Sequence, residues 1–369
     1  MRAILCICAT VLATLSASSF ADSTTIPPLP ALNIDITQTS VSGLSSGGFM
    51  AVQLGVAYSS IIKGVGVVAG GPYYCSQDSV LIATTKCSCT LLPGGACEVT
   101  PTSTDVPKLV SFTQASSASH GIDDVANIVA QRVITISGAS DATVPSPVVT
   151  QLQAYYAALG VPAQNISKIE LANAGHTMPT VNYGVACEKS ESPFIGKCHV
   201  DGAQAILGWI YGPGALAPTT ASTKKGSYIR FDQTRYLPAD RPASFTWTTG
   251  MDTTGWLYVP AACNAGQACR LHIVLHGCEQ GQDYLPLESP PGGGLLFGTT
   301  FVRHAGYAQW ADNNQIVVLF PQAVSIPGLN PDGCWDWWGY TGDHFADQQG
   351  VQMRTIRNMI DRLVSGATP

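Results

Sequence analysis

Gly43-Leu44-Ser45-Ser46-Gly47 is the stretch on which the reading of this chain turns. Residues 33–42 before it read as a strand. Residues 48–58 after it (GFMAVQLGVAY) have helical periodicity. A G-x-S-x-G pentapeptide between a strand and a helix marks a turn sharp enough to lift a serine hydroxyl clear of a sheet. Its glycines permit the close backbone contacts of that turn. Plain Gly/Ser loops carry the same five letters by chance, so the pentapeptide needs partners elsewhere in the chain.

A serine hydroxyl is a poor nucleophile until a base takes its proton. In α/β-hydrolases an acid and then a histidine follow the serine, each just past a strand. Asp141 stands just beyond Arg132–Ser137 (RVITIS), and His176 just beyond the strand read at Lys168–Ala172. Asp141 could instead cap the helix read at 148–159. Asp123 and Asp124 compete for its role, as His120 and His199 do for that of His176, but no strand leads into any of the four. Order and strand context therefore select Ser45, Asp141 and His176 as the catalytic set.

An oxyanion needs backbone N–H donors. Ser46 follows the nucleophile and supplies one. The second normally comes from an HG loop after the third strand, and here that loop, His276-Gly277-Cys278 after Leu271–Leu275, comes long after the serine. A late oxyanion strand implies a circularly permuted α/β-hydrolase fold, with a mostly parallel central sheet and helices on both faces. The 201–211 helix would pass through a Gly/Pro/Thr-rich linker at 212–226 into the original first strands. The last helix, read at 346–363, would end beside residues 30–35, since domain termini often lie together. The rest of the second segment offers strands at 227–232, 256–259, 271–275 and 316–320. His272 and His276 share a strand spacing but have no third ligand, so no metal and no cofactor is expected. The run Cys334-Trp335-Asp336-Trp337-Trp338-Gly339-Tyr340 is either an apolar wall for a substrate or a core plug beside a disulfide.

The chain of 369 residues is 46% hydrophobic and 11% charged, with net charge −6. That excludes disorder, and the lack of a basic cluster argues against nucleic acid. Arg2, the uncharged stretch 3–15 and Ser19-Phe20-Ala21 read as a signal peptide cleaved after Ala21. Residues 22–369 are then expected to form one catalytic domain, without a membrane span, a separate substrate-binding domain or a partner subunit, exported to periplasm or medium. The twelve cysteines include Cys6 and Cys8 of the leader; the even remainder reads as disulfides. Cys187 with Cys198 and Cys263 with Cys269 are the expected short-range pairs. Residues 71–100 read as a disulfide-tied excursion.

Gly43 to Met50, the Asp141 loop, Asn173-Ala174-Gly175-His176, His276-Gly277-Cys278-Glu279-Gln280 and Gly333 to Tyr340 together resemble polyhydroxybutyrate depolymerases, the type with an early lipase box and a late oxyanion loop. The resemblance implies Ser45 as nucleophile, His176 as base, Asp141 as its orienter, and the N–H groups of Ser46 and Cys278 as oxyanion donors. It implies substrate contact at Trp335, with Trp337, Trp338 and His276 as further candidates, and a Cys278–Cys334 disulfide. The expected substrate is poly(3-hydroxybutyrate) or its oligomers, amorphous rather than crystalline. A secreted carboxylesterase of the feruloyl or acetyl-xylan kind, or a non-catalytic binding protein on the same fold, are the rival readings.

Overall fold

The continuous apolar runs pair with one another because strands buried on both faces must satisfy their backbone inside a sheet. In the computed structural model, which describes residues 25–91, 96–220, 223, 225–241, 246–287 and 294–366, the first segment supplies four strands of the main sheet. They are β1 (Ile34–Leu44), β2 (Ile62–Val68), β3 (Arg132–Gly138) and β4 (Ile166–Leu171). Three short strands, β5 (Met178–Thr180), β6 (Val185–Ala186) and β7 (Ile195–Lys197), make a small separate sheet. The second segment supplies β8 (Ser227–Asp232), β9 (Thr254–Val259), β10 (Cys269–Leu275) and β11 (Ile316–Phe320). The expected signal peptide lies outside the described residues.

The main sheet has the order β4-β3-β2-β1-β10-β11-β9-β8. All neighbours are parallel except at β9, which runs antiparallel to both β11 and β8. Counted from β8 instead of from β1, the HG loop follows the third strand, as it does in an unpermuted α/β-hydrolase. The permutation is therefore a change of starting point and leaves the sheet whole. Its seam is the β1–β10 ladder, running from Thr39 opposite Leu271 to Gly43 opposite Leu275.

The two sides of the opened original connection do meet. Leu32 N–H donates to the Leu363 carbonyl at 2.8 Å, and Arg362 Nε donates to the Leu29 carbonyl at 2.9 Å. The helix Val351–Val364 buries Met353, Ile356, Met359, Ile360 and Leu363 along one face, a helical stripe. It starts later than residue 346 because Asp347 folds the preceding residues into a turn, accepting from Gln349 N–H at 2.7 Å. The new connection is strapped down. Ala217 and Asn314 exchange two hydrogen bonds of 2.8 and 2.9 Å, and Gly226 N–H donates to Asp312 at 2.8 Å.

Both expected short-range disulfides form, as does Cys278–Cys334. The excursion is tied by Cys75–Cys87 and Cys89–Cys97. A helix at Val106–Ala118 has no counterpart in the sequence reading. It buries only Leu109 and Thr113, too few to leave a periodic stripe, and depends on its start: Asp105 accepts from Lys108 N–H and proline stands in the first turn.

Because Leu32 and Leu363 are already in contact, a chain rejoined between residues 366 and 25 by a short flexible linker and opened within 219–226 should fold. It is expected to keep the parent's far-UV circular dichroism and an esterase kcat of the same order. Loss of both would mean that the seam needs the present connection.

Candidate active site

Ser45 sits at φ 56° and ψ −122° between β1 and the helix Ser46–Ala57. A non-glycine residue held there costs of order 1–3 kcal/mol, so its surroundings must impose it. Ser45 N–H donates to the Val68 carbonyl at 2.9 Å. A Cβ on Gly43 would lie 2.2 Å from the Gly47 carbonyl oxygen, and one on Gly47 would lie 2.4 Å from that of Leu275. Only glycine fits at either flank, which is the physical content of the pentapeptide.

The loops after β3 and β4 are bonded to each other: Ala139 N–H donates to the Leu171 carbonyl at 2.9 Å, and Ser140 N–H to that of Ala174 at 3.0 Å. This brings Asp141 Oδ2 to 2.8 Å from His176 Nδ1, with both side chains buried. The other carboxylate oxygen accepts from Thr143 and Val144 N–H at 2.8 and 2.9 Å. Asp141 is thus not the helix cap; the helix Ser146–Ala158 begins at Pro145 without one. With Nδ1–H assigned to Asp141, Nε2 carries the lone pair. Ser190 Oγ accepts from His176 N–H at 2.8 Å, and Phe194 stands edge-on to the ring at 6.3 Å. Asp123 and Asp124 are engaged elsewhere, with Ser60 and Ala126 N–H.

The late loop arrives over Ser45. A Cβ built on Gly277 would lie 3.3 Å from Ser45 Cβ, so two stretches far apart in sequence share one turn of space. Among the described residues neither Ser46 N–H nor Cys278 N–H is given to a protein acceptor. Cys278–Cys334 closes a span of 56 residues, stabilising by roughly 4 kcal/mol on loop entropy. Trp335 N–H donates to Ser46 Oγ at 3.3 Å, a second tie between the aromatic run and the elbow.

A cavity of about 450 Å³ opens here. Ser45, His176 and Cys278 lie at its floor, and Phe49, Trp337 and Trp338 form one wall. Asp336 folds that wall: it accepts from the N–H groups of Trp338, Gly339, Tyr340 and Thr341. Burial pushes its carboxyl up, and the Thr341 hydroxyl with the N–H groups of Thr341, Gly339 and Tyr340 offsets part of that rise. Trp337 stacks on Phe49 at 4.0 Å and meets Trp338 edge-on at 5.6 Å. The lining includes Glu279 and Asp332 and no Lys or Arg among the described residues. Burial first, and then Asp332's charge, raise the Glu279 carboxyl.

Two expected substrate contacts are corrected. Trp335 is fully buried and does not line the cavity, because Asp336 turns the chain so that only its later tryptophans face the opening. His276 also lies behind the wall, 5.4 Å from the Trp335 ring. Its Nδ1–H donates to the Gly277 carbonyl at 2.7 Å, and its Nε2 accepts from Ala323 N–H at 3.1 Å. His272 is similarly enclosed, with hydroxyls of Ser40 and Ser42 at 2.7 and 2.8 Å from its two nitrogens. Sequence reasoning missed Phe194, Ser190 and Gln280. Gln280 stands in the HGCEQ motif, so its position was visible but its role was not.

This fold and this floor define a serine hydrolase of permuted α/β-hydrolase type. No protein-family model matches the chain. It is 43% identical over 341 residues to a poly(3-hydroxybutyrate) depolymerase of Delftia acidovorans, covering 92% of this chain and 62% of that one. It is 37% identical over 353 residues to a polyhydroxybutyrate depolymerase of Talaromyces funiculosus, covering 92% of this chain and 93% of the relative. The crystal structure of a PHB depolymerase from Penicillium funiculosum superposes with TM-score 0.77 at 35% identity, covering 92% of this chain and all of that one. A serine-to-alanine variant of a PHB depolymerase in complex with an R3HB trimer matches equally. The chain belongs to the polyhydroxybutyrate depolymerase family.

Burial lowers the imidazole pKa of His272 to about 3 and that of His276 to about 4. The unfolded chain, near 6.5, binds these protons more readily. Stability is therefore complete above 6.5 and lost progressively as pH falls toward 3. The urea midpoint of wild type should drop over that window, and that of His272→Asn should drop less. Parallel curves would assign the acid lability to other groups.

Proposed function

We propose that this protein hydrolyses the ester bonds of poly(3-hydroxybutyrate) or its oligomers through an acyl-enzyme on Ser45. The observation that supports it most is the approach of the 276–278 loop to Ser45 in a cavity lined also by His176, whose ring is bonded to the buried Asp141. The relatives named for this activity and the R3HB trimer complex of a structurally similar PHB depolymerase support the substrate class.

In this reading Ser45 Oγ attacks the ester carbonyl while His176 Nε2 takes its proton. Asp141 holds the imidazole and stabilises the imidazolium without itself being protonated. The N–H groups of Ser46 and Cys278 meet the charge that develops on the carbonyl oxygen. His176 returns the proton to the departing alkoxide, the hydroxyl-ended fragment leaves, and a water activated by the same ring releases the acid. Phe49, Trp337 and Trp338 give the methyl-branched chain an apolar wall, and residues 22–369 act as one catalytic unit and as a monomer. The five disulfides suit an exported protein. We place it in the periplasm or the medium.

Ser45→Ala and His176→Ala should each lower kcat by on the order of a million-fold. Asp141→Asn should cost about 10⁴-fold, leaving a measurable remainder. Circular dichroism of all three should match wild type, and a fluorophosphonate should label wild type but not Ser45→Ala. A fully active variant would remove its residue from the site. Separately, 3-hydroxybutyrate should be released from amorphous granules faster than ferulate or acetate from plant-wall esters. The reverse order would favour the carboxylesterase reading, and no turnover or labelling at all would favour a binding protein.

A further inference from the structure

The oxyanion loop is braced by two buried side chains that no part of the proposed reaction uses. His276 is 1% exposed, and so is Gln280. Each has both polar ends committed to backbone. The His276 ring donates Nδ1–H to the Gly277 carbonyl and is held from behind by Ala323 N–H, just past β11. Gln280 Oε1 accepts from Gly277 N–H at 2.7 Å, while its Nε2 donates to the Pro193 carbonyl at 2.8 Å. Pro193 precedes Phe194, the ring that stands against His176.

The carbonyl that His276 grips and the N–H of Cys278 belong to one peptide unit. In a trans peptide the two point in opposite directions, so holding the oxygen on one side fixes where the N–H points on the other. A hydrogen bond accepted at that oxygen also polarises the N–H at the far end. We propose that His276 and Gln280 are positioning residues that aim the Cys278 N–H at the developing oxyanion and tie its loop to the segment behind His176. This rests on the reading of Cys278 N–H as an oxyanion donor. Neither side chain touches the substrate. His276 stays neutral at working pH, which preserves its one-donor, one-acceptor pattern.

The test uses the whole enzyme with p-nitrophenyl butyrate, and an alkyl boronic acid as a tetrahedral mimic. His276→Gln and Gln280→Met should each lower kcat by about ten- to a hundredfold, less than outright loss of an oxyanion donor, with KM unchanged. Boronate affinity should fall by the same factor as kcat. In His276→Asn the amide nitrogen stands where Nδ1 stood, so that variant should recover most of the loss. Should His276→Gln fail to fold, Gln280→Met carries the comparison alone. A raised KM with unchanged kcat would overturn the proposal in favour of substrate contact. So would lower kcat and melting temperature with boronate affinity intact, which is the mark of a merely structural role. If boronate inhibits wild type and every variant equally, only this inference falls. If it does not inhibit wild type competitively, the donor reading falls and takes the inference with it.

Discussion

The ladder between β1 and β10 is the constraint from which the rest follows. It joins the two segments at the centre of the sheet, in register from Thr39–Leu271 to Gly43–Leu275. The elbow and the HG loop both leave from its upper end. A one-residue slip would turn each side chain of one strand to the opposite face and withdraw Gly277 from Ser45. Register here sets site geometry as well as core packing. The absence of a Cβ on Gly47 is what allows the helix start to come down against the Leu275 carbonyl.

Around that seam, backbone hydrogen bonds carry most of the site. The Asp141 and His176 loops hold each other through main-chain bonds, and the aromatic wall hangs on one carboxylate that gathers successive N–H groups. A buried acceptor with so many donors fixes a loop more rigidly than apolar contact alone, because an unmet partner inside the protein costs about 1–3 kcal/mol. The result is an apolar cleft on a rigid polar frame. Two carboxylates, Glu279 and Asp332, line it, with no Lys or Arg beside them among the described residues.

Much of this was legible in the sequence because it depends on short patterns with fixed physical meaning. Continuous apolar runs became central strands, Gly43 and Gly47 marked the elbow, and strand context chose Asp141 over Asp123 and Asp124. The late HG loop exposed the permutation, since chain order cannot disguise which strand a loop must follow. What stayed hidden depends on side-chain direction. Nothing in the letters WDWW says that Asp336 will collect the following amides and turn Trp335 inward. Nothing in HGCEQ says that its histidine faces away from the cleft. Phe194 and Ser190 lie in an irregular stretch, where no periodicity marks a residue. The helix at 106–118 escaped because its buried stripe is only two residues wide.

The contact between Leu32 and Leu363 places both ends of the folded chain at the foot of β1. That strand has 11 residues, which puts its foot about 35 Å from the elbow at its head. A tag, bead or membrane anchor grafted to either end would therefore hold the molecule by the pole opposite its cleft. Immobilised that way, the enzyme would present its mouth outward, free to meet a solid particle too large to diffuse.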